Sequence, residues 1–407
     1  MFPGFPLEFA SPPHPRYNEG MCVNDVDLEQ LVQLRHHLHA HPELSGKESG
    51  TARTIQAFIL GHSRAQVMQG LGGHGLAAVF EGPDPGPTVL FRADLDALPI
   101  NEQSDAEHRS RVNAVAHLCG HDGHMAILCG LAMHLSRHCP QRGRVVLLFQ
   151  PAEETGTGAA RVIADPGFEK IRPDIAFALH NLPGFPKGSV VWRYGPFASA
   201  SRGLIMRLTG RTAHAGEPEN GVTPAPAVSR LLAGIPALPG MAGIRGFGLA
   251  TVVHARLGEV AFGTAPGEAV VMATLRTHTD RDMDRLFAAG EQLARETAAA
   301  SGLKIALEAV EDFPATINDR DAVERVRAAA QAESIPMVKV TQPFRWSEDF
   351  AHFTRLCPAA LFGLGAGEDG PRLHNPEYAF PDELIKPGVA VFAALSRGLL
   401  GEERHDG

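Results

Sequence analysis

Three apolar runs in the first half of the chain end in the same way. TVLF (88–91) leads into RADLDALP, RVVLLF (144–149) into QPAEETGTGA, and DIAFAL (174–179) into HNLPG. The runs are continuous rather than alternating, the pattern of strands covered on both faces. Each delivers carboxylates or an imidazole just past its carboxyl end, where open α/β sheets assemble ligand sites. A fourth run, GLAAVF (75–80), has the same texture without a reactive tail. Helical periodicity fills the gaps, in DVDLEQLVQLRHHLHAHPEL with an N-cap at Asp25 or Asp27, in ESGTARTIQAFIL (48–60) and in HMAILCGLAMHLSRH (124–138). Strands alternating with helices predict an α/β domain whose helices cover a largely parallel sheet.

After about residue 197 the texture changes. GLIMRLTG (203–210) alternates, ATVVHARL (250–257), EAVVMATLRT (268–277) and LKIALEAV (303–310) read as strands, and helices are expected over 223–235 and 280–301. That order, β-α-β-β-α-β, is the ferredoxin-like unit. The α/β texture then resumes with a helix near 321–333, a strand over 337–341, a helix from Ser347, a strand over 359–365 and a closing helix from Asp382. We therefore expect a catalytic α/β domain in two segments, 21–196 and 312–407, an inserted domain over 197–311, and a loose Pro-rich arm over 1–20. A chain of 407 residues exceeds one ordinary core, in keeping with two domains. If reactive groups come from both domains, the joins near 195–199 and 313–319 would act as hinges.

Bulk properties remove several classes of function. A net charge of -9 with no basic run makes nucleic acid a poor partner. No apolar stretch approaches the roughly 20 residues needed to span a bilayer. The arm lacks the layout of a signal peptide. Five cysteines, an odd number without regular spacing, point to a reducing cytoplasm rather than a disulfide framework. A thiol is then available for chemistry.

The stretch HLCGHDGHMAIL (117–128) concentrates Cys119, His121, Asp122 and His124 in a glycine loop entering a helix. Alone, such a cluster is as compatible with a small core thiol and helix-capping histidines as with a metal site. His124, at the helix start, reads as the bystander. PAEETG (151–156) places Glu153 and Glu154 behind a strand and a proline, where burial would demand a cation or a partner. Adjacent side chains diverge, so one can ligate while the other serves as a base. His180 in ALHNLPG and His374 in PRLHNPEYAF add two imidazoles. Cys119, His121, Glu154, His180 and His374 are too many donors for one closed tetrahedral site but suit two metals sharing a ligand or a solvent. Asp94 and Asp96 could orient a ligating imidazole. A thiol hydrolase with Cys119 as nucleophile and His121 or His124 as base is the competing chemistry. It leaves Glu153, Glu154, His180 and His374 without a purpose. A metal-storage protein, in turn, has no use for Glu153.

Taken in order, RADLDALPI, HLCGHDGHMAIL, FQPAEETGTGA, LHNLPG, GRTAHAGEPENG, SEDF and LHNPEYAFPDE resemble the auxin-conjugate and hippurate hydrolases, over about Leu31 to Ile385. These are the amidohydrolase branch of the two-metal aminoacylase and carboxypeptidase family. The resemblance implies that Cys119, His121, Glu154, His180 and His374 bind two divalent ions, manganese, zinc or cobalt. Glu153 would be the general base, with Asp96 in the catalytic set and Asp94 behind the ligands. The inserted domain, often a dimerisation surface, would contribute His214 as oxyanion donor, which by itself reads as an exposed loop histidine. Arg276, ending EAVVMATLRT, would clamp a substrate carboxylate, or equally be a surface residue paired with Asp280 or Asp282. The implied activity is hydrolysis of N-acyl amino acids, with cleavage of dipeptides as the alternative. Thr223 stands where many relatives have Asn or Asp, so no substrate role is carried to it.

Overall fold

A computed structural model describes residues 24–404, so the arm at 1–20 lies outside the described residues. The chain divides into two compact units. The first comprises the chain up to Phe197, Thr316–Gln342 and everything from Asp349; the second comprises Ala198–Ala315 and Pro343–Glu348. The sequence reading leaves 343–348 with the large domain. Here that segment belongs with the small unit because its carbonyls are taken up there: Ser199 donates from its backbone N to Trp346 O (2.9 Å) and from its hydroxyl to Phe344 O (2.7 Å).

The first unit is built on an eight-stranded mixed sheet. Its spatial order is Gln66–Leu71, Gly75–Glu81, Arg142–Gln150, Asp84–Asp94, Ile175–Leu182, Ala359–Gly365, Val190–Trp192 and Met337–Lys339. The four central strands run parallel. They are the continuous apolar runs, and Ile175–Leu182 and Ala359–Gly365 are buried at every position. The helices Asp25–Ala40, Ser49–His62, His121–Arg137, Arg320–Ala332 and Ile385–Leu400 cover the sheet, bringing Leu31, Ile55, Ile127, Val323 and Val389 into one core with Phe91, Phe177 and Phe362. The first helix is capped by Asn24, whose side chain accepts from Asp27 N at 2.9 Å, not by Asp25 or Asp27. Asp27 is drawn off instead by Arg137 Nη2 at 2.6 Å.

A buried polar tie joins the first helix to the start of His121–Arg137. Arg35 Nη1 and His39 Nδ1 both donate to Asp122 Oδ2 at 2.9 Å, and His39 Nε2 donates to Glu102 Oε1 at 3.1 Å. Burial alone would lower the His39 pKa, but Asp122 and then Glu102 outweigh it and raise it from 6.5 to about 9. Burial pushes Glu102 up, but hydrogen bonds from His39 and Ser104 bring it down from 4.5 to about 2. The signs follow from linkage. The His39 contribution is complete below pH 6.5 and is lost as pH rises through about 9. The Glu102 contribution is present above pH 4.5 and is lost as pH falls through about 2. Denaturant unfolding of the protein and of His39→Gln over a pH series is therefore expected to differ most between these limits. That difference should shrink by about 3 kcal/mol once pH exceeds the raised value. A difference that stays constant with pH would show that His39 is not held as a cation.

The second unit is a four-stranded antiparallel sheet, ordered Gly248–Leu257, Glu268–Thr277, Ala200–Thr209, Lys304–Phe313. With the helices Ala225–Gly234 and Asp280–Ala300 it forms the ferredoxin-like arrangement. Its strands alternate, and Leu204, Met206, Leu208, Val271 and Leu275 meet Leu231 and Leu286 from the helices in a separate core. Among the described residues no helix is long and apolar enough to cross a membrane. Among the described residues, Cys129 and Cys357 are free thiols.

Candidate metal centre

Parallel register brings the reactive tails of the first unit to one edge of its sheet. Asp94 lies opposite Gln150, so RADLDALP and QPAEETGTGA leave side by side, with His180 on the next strand. The loop of Cys119 reaches the same edge through Gly120, which has φ 93°. A Cβ there would lie 2.5 Å from Asn181 Oδ1, so the turn that places Cys119 before the helix and His121 at its first position requires glycine.

Two non-glycine residues at this edge also adopt the left-handed conformation, Ala152 at φ 53° and His374 at φ 66°. Such backbone costs about 1–3 kcal/mol per residue and persists where surroundings impose it. Ala152 N is held by Glu48 Oε1 at 2.9 Å, which turns Glu153 and Glu154 into the site. His374 N donates to Leu118 O at 2.9 Å, which ties a distant loop to that of Cys119.

The five donors converge. Cys119 Sγ lies 3.5 Å from His180 Nε2 and 3.4 Å from His374 Nε2. Glu154 Oε1 lies 3.8 Å from both His121 Nε2 and His374 Nε2. One donor atom each from Cys119, His121 and His180 falls within 4.8 Å of the others, and the same holds for Cys119, Glu154 and His374. Cys119 belongs to both trios. Glu153 joins His121 and Glu154 in a further group.

Polarity fits a cation. His121 Nε2 and Glu154 Oε1 are buried and make no hydrogen bond among the described residues. His121 Nδ1 donates to Asp96 O and His180 Nδ1 to Asn181 O, each at 2.9 Å, so Nε2 of both faces the site, where a cation would displace any proton it carries. Burial holds His180 well below the usual imidazole range, and burial with His121 lowers His374, so both favour the neutral form that ligates. Burial raises Glu154 to about 7 against the pull of His121. Burial would lower His121, but Asp94 and then Asp96 lift it to about 10. Of the donor imidazoles only that of His121 is held in the charged form, against the buried carboxylates of Asp96 and Glu153 and the buried Oε1 of Glu154.

Supporting contacts involve residues that local sequence does not single out. Asp96 Oδ2 accepts from Ser45 Oγ (2.6 Å) and from Glu154 N (3.0 Å). Asp94 accepts from Arg92 Nη1 (2.9 Å) and from His124 Nδ1 (2.7 Å). His124 is thus no bystander: it is buried, and its Nε2 meets the Asn181 side chain at 2.5 Å. Glu153 is 5% exposed, and its Oε1 accepts from Asp349 N at 3.4 Å. Asp349, the second acid of SEDF, reaches Arg92 Nη2 at 2.7 Å and Gln150 Nε2 at 2.8 Å.

His214 and Arg276 belong to the second unit. His214 is exposed on the short strand Ala213–His214, and its Nδ1 accepts from Gly216 N at 3.0 Å. A neutral ring in that tautomer carries its proton on Nε2. Arg276 is half-buried and donates to Arg345 O and Ser347 Oγ, both at 3.0 Å. It pairs with neither Asp280, which accepts from Ala315 N, nor Asp282, which pairs with Arg285.

Comparison with known proteins gives the family. The chain is 31% identical over 395 residues to N-acetyl-L-cysteine deacetylase of Bacillus subtilis, covering 95% of this chain and 92% of that protein. It is 28% identical to thermostable carboxypeptidase 1 of Saccharolobus solfataricus, over 92% of this chain and 96% of that one. Among solved structures it is similar to a dinuclear metal-binding peptidase of the M20 family from Bacillus subtilis. That similarity has a TM-score of 0.78 and 24% identity, over 93% of this chain and 99% of the other. Residues 90–397 match the family model of peptidases M20/M25/M40, and the chain belongs to that family of metal-dependent hydrolases acting on amide bonds.

Proposed function

We propose that this protein hydrolyses N-acyl amino acids, releasing a carboxylic acid and a free amino acid. The observation that carries the reading is the pair of donor trios sharing Cys119, with Glu153 beside them. Cys119, His121 and His180 would hold one divalent ion, and Cys119, Glu154 and His374 a second. One thiolate with imidazoles and a carboxylate suits manganese, zinc or cobalt. Such a pair, when bound, supplies a water acidic enough to ionise near neutral pH and a polarised amide carbonyl.

The remaining steps fall to side chains. Glu153 takes the proton of the attacking water and passes it to the departing amine. His214, with its proton on Nε2, is suited to donate to the oxyanion. Arg276 keeps further N–H groups with which to clamp the carboxylate of the amino acid. Asp94 and Asp96 hold His124 and the loop of Glu154 in place. The finer assignment to the auxin-conjugate and hippurate branch rests on the ordered motifs, with Asp94 and Asp96 as its mark.

Cleavage of dipeptides is the second reading, favoured by the similarity to a carboxypeptidase. A thiol hydrolase would leave His121 Nε2 and Glu154 Oε1 buried without a hydrogen bond among the described residues. The test removes metal by chelation, restores manganese, zinc or cobalt one at a time, and assays N-acetyl, N-benzoyl and indole-acyl amino acids beside dipeptides. Activity should vanish on chelation and return with metal, and N-acyl substrates should be cleaved in preference. Full activity after chelation, with loss on iodoacetamide treatment, would replace this reading by the thiol one.

A further inference from the structure

The helix that opens with His121 closes on a second cluster of donors. At 1.5 Å rise per residue, His134 lies about 20 Å along the axis from His121, and His138 follows one turn later. Their rings stack with centroids 4.6 Å apart and planes 14° from parallel. Glu402, just beyond the helix Ile385–Leu400, brings one oxygen to both: Oε1 lies 3.0 Å from His134 Nε2 and 3.0 Å from His138 Nδ1. One donor atom from each of the three falls within 4.8 Å of the others.

We propose that His134, His138 and Glu402 form a separate binding site for a divalent ion of the zinc class. Two imidazoles and one carboxylate are a zinc donor set, with a fourth position left for water. Bond lengths of about 2.0–2.2 Å around a tetrahedral ion put neighbouring donors roughly 3.3–3.6 Å apart, so the two oxygen–nitrogen distances of 3.0 Å would open by a few tenths of an ångström around an ion. His134 and His138 keep the i, i+4 spacing by which two rings are turned toward one ion, with His138 at the capping position just past the helix end.

The location favours positive charge as well. This is the carboxyl end of a 17-residue helix, where unpaired carbonyls attract cations. Arg397 Nη1 stands 3.7 Å from Glu402 Oε2 while its Nη2 is drawn to Glu333 at 2.7 Å, so the oxygen turned to the histidines is Oε1. His134 is buried, whereas the side chains of His138 and Glu402 remain 24% and 18% exposed, enough for an ion to enter.

The site has no catalytic equipment of its own. In HLSRH, Leu135 stands where zinc hydrolases with this spacing carry their basic glutamate. Its effect is mechanical. The short strand Glu403–Arg404 pairs with His138–Cys139, and an ion between Glu402 and the two histidines pins that strand to the helix end.

The test uses the full chain with its resident metals. The protein, His138→Gln and Glu402→Gln are dialysed against graded zinc, and bound zinc is counted by mass spectrometry alongside thermal midpoints. Both substitutions fall at partly exposed positions, which keeps misfolding from deciding the result. The unaltered protein should take up one equivalent more than either variant and gain several degrees on zinc addition that the variants lack. Equal uptake and equal thermal gain in all three would overturn the site and leave Glu402 as an ion-pair partner of the two histidines. Amide hydrolysis does not enter the readout, so the outcome is independent of the proposed activity.

Discussion

Glu153→Gln is expected to leave the metal content unchanged and to lower kcat by about 10²–10⁴-fold, the usual worth of a positioned proton-transfer group. Gln fills the same volume and can still accept from Asp349 N, the contact that holds Glu153 Oε1 at 3.4 Å. It cannot take a proton from water near neutral pH. Both Cys119 trios omit Glu153, so their affinity for metal should survive. Glu154→Gln provides the contrast, because Glu154 Oε1 lies 3.8 Å from two imidazoles and a neutral amide there should release metal along with activity. Amino acid release gives kcat, and mass spectrometry of the dialysed variant gives metal content. If Glu153→Gln keeps more than a tenth of the activity with both ions bound, the base lies elsewhere. If it loses metal, Glu153 is a ligand.

Glu154 and His180 were legible because each sits where a continuous apolar run stops, and such runs report buried strands independently of what they pair with; Cys119, His121 and His374 were read from the ordered motifs instead. That is why TVLF, RVVLLF and DIAFAL lead directly to Asp94, Glu154 and His180. Residues whose role depends on a distant partner were not legible. Arg92 reads as the charged residue that follows TVLF, yet its guanidinium meets Asp349, which is 257 positions away. Glu48 looks like any acid before a helix, and only the fold shows it holding Ala152 N. His124 was set aside because it lies at the helix start, past the glycine loop; burial between Asp94 and Asn181 gives it another task. The edge strand Gln66–Leu71 escaped as well. QVMQGL is half polar and largely exposed, so neither strict alternation nor a continuous apolar run marks it.

Arg92→Met should destabilise the first unit by about 3–5 kcal/mol, the penalty for stripping one partner from buried charges. Arg92 is 2% exposed and donates to Gln150 Oε1 (3.0 Å), Asp94 Oδ2 (2.9 Å) and Asp349 Oδ1 (2.7 Å). Met fills the space but leaves two fully buried carboxylates short of a cation. His124 partly compensates Asp94, and Gln150 with Ala159 N partly compensates Asp349. Denaturant unfolding measures the loss, and a change below 1 kcal/mol would mean that neither carboxylate is ionised in the folded protein. Adding Asp349→Asn to Arg92→Met should restore part of the stability, since the second substitution removes a charge the first has stranded. The same cycle bears on the metal centre. Asp94 fixes His124, and Asp349 N holds Glu153, so freeing either acid loosens residues around the donors. Metal affinity is then expected to fall by about 10–100-fold. Asp349→Asn alone should leave Arg92 with Asp94 and cost less of both. A ranking in which Arg92→Met is worst and the double variant intermediate identifies the arginine as the post around which SEDF and RADLD are tied.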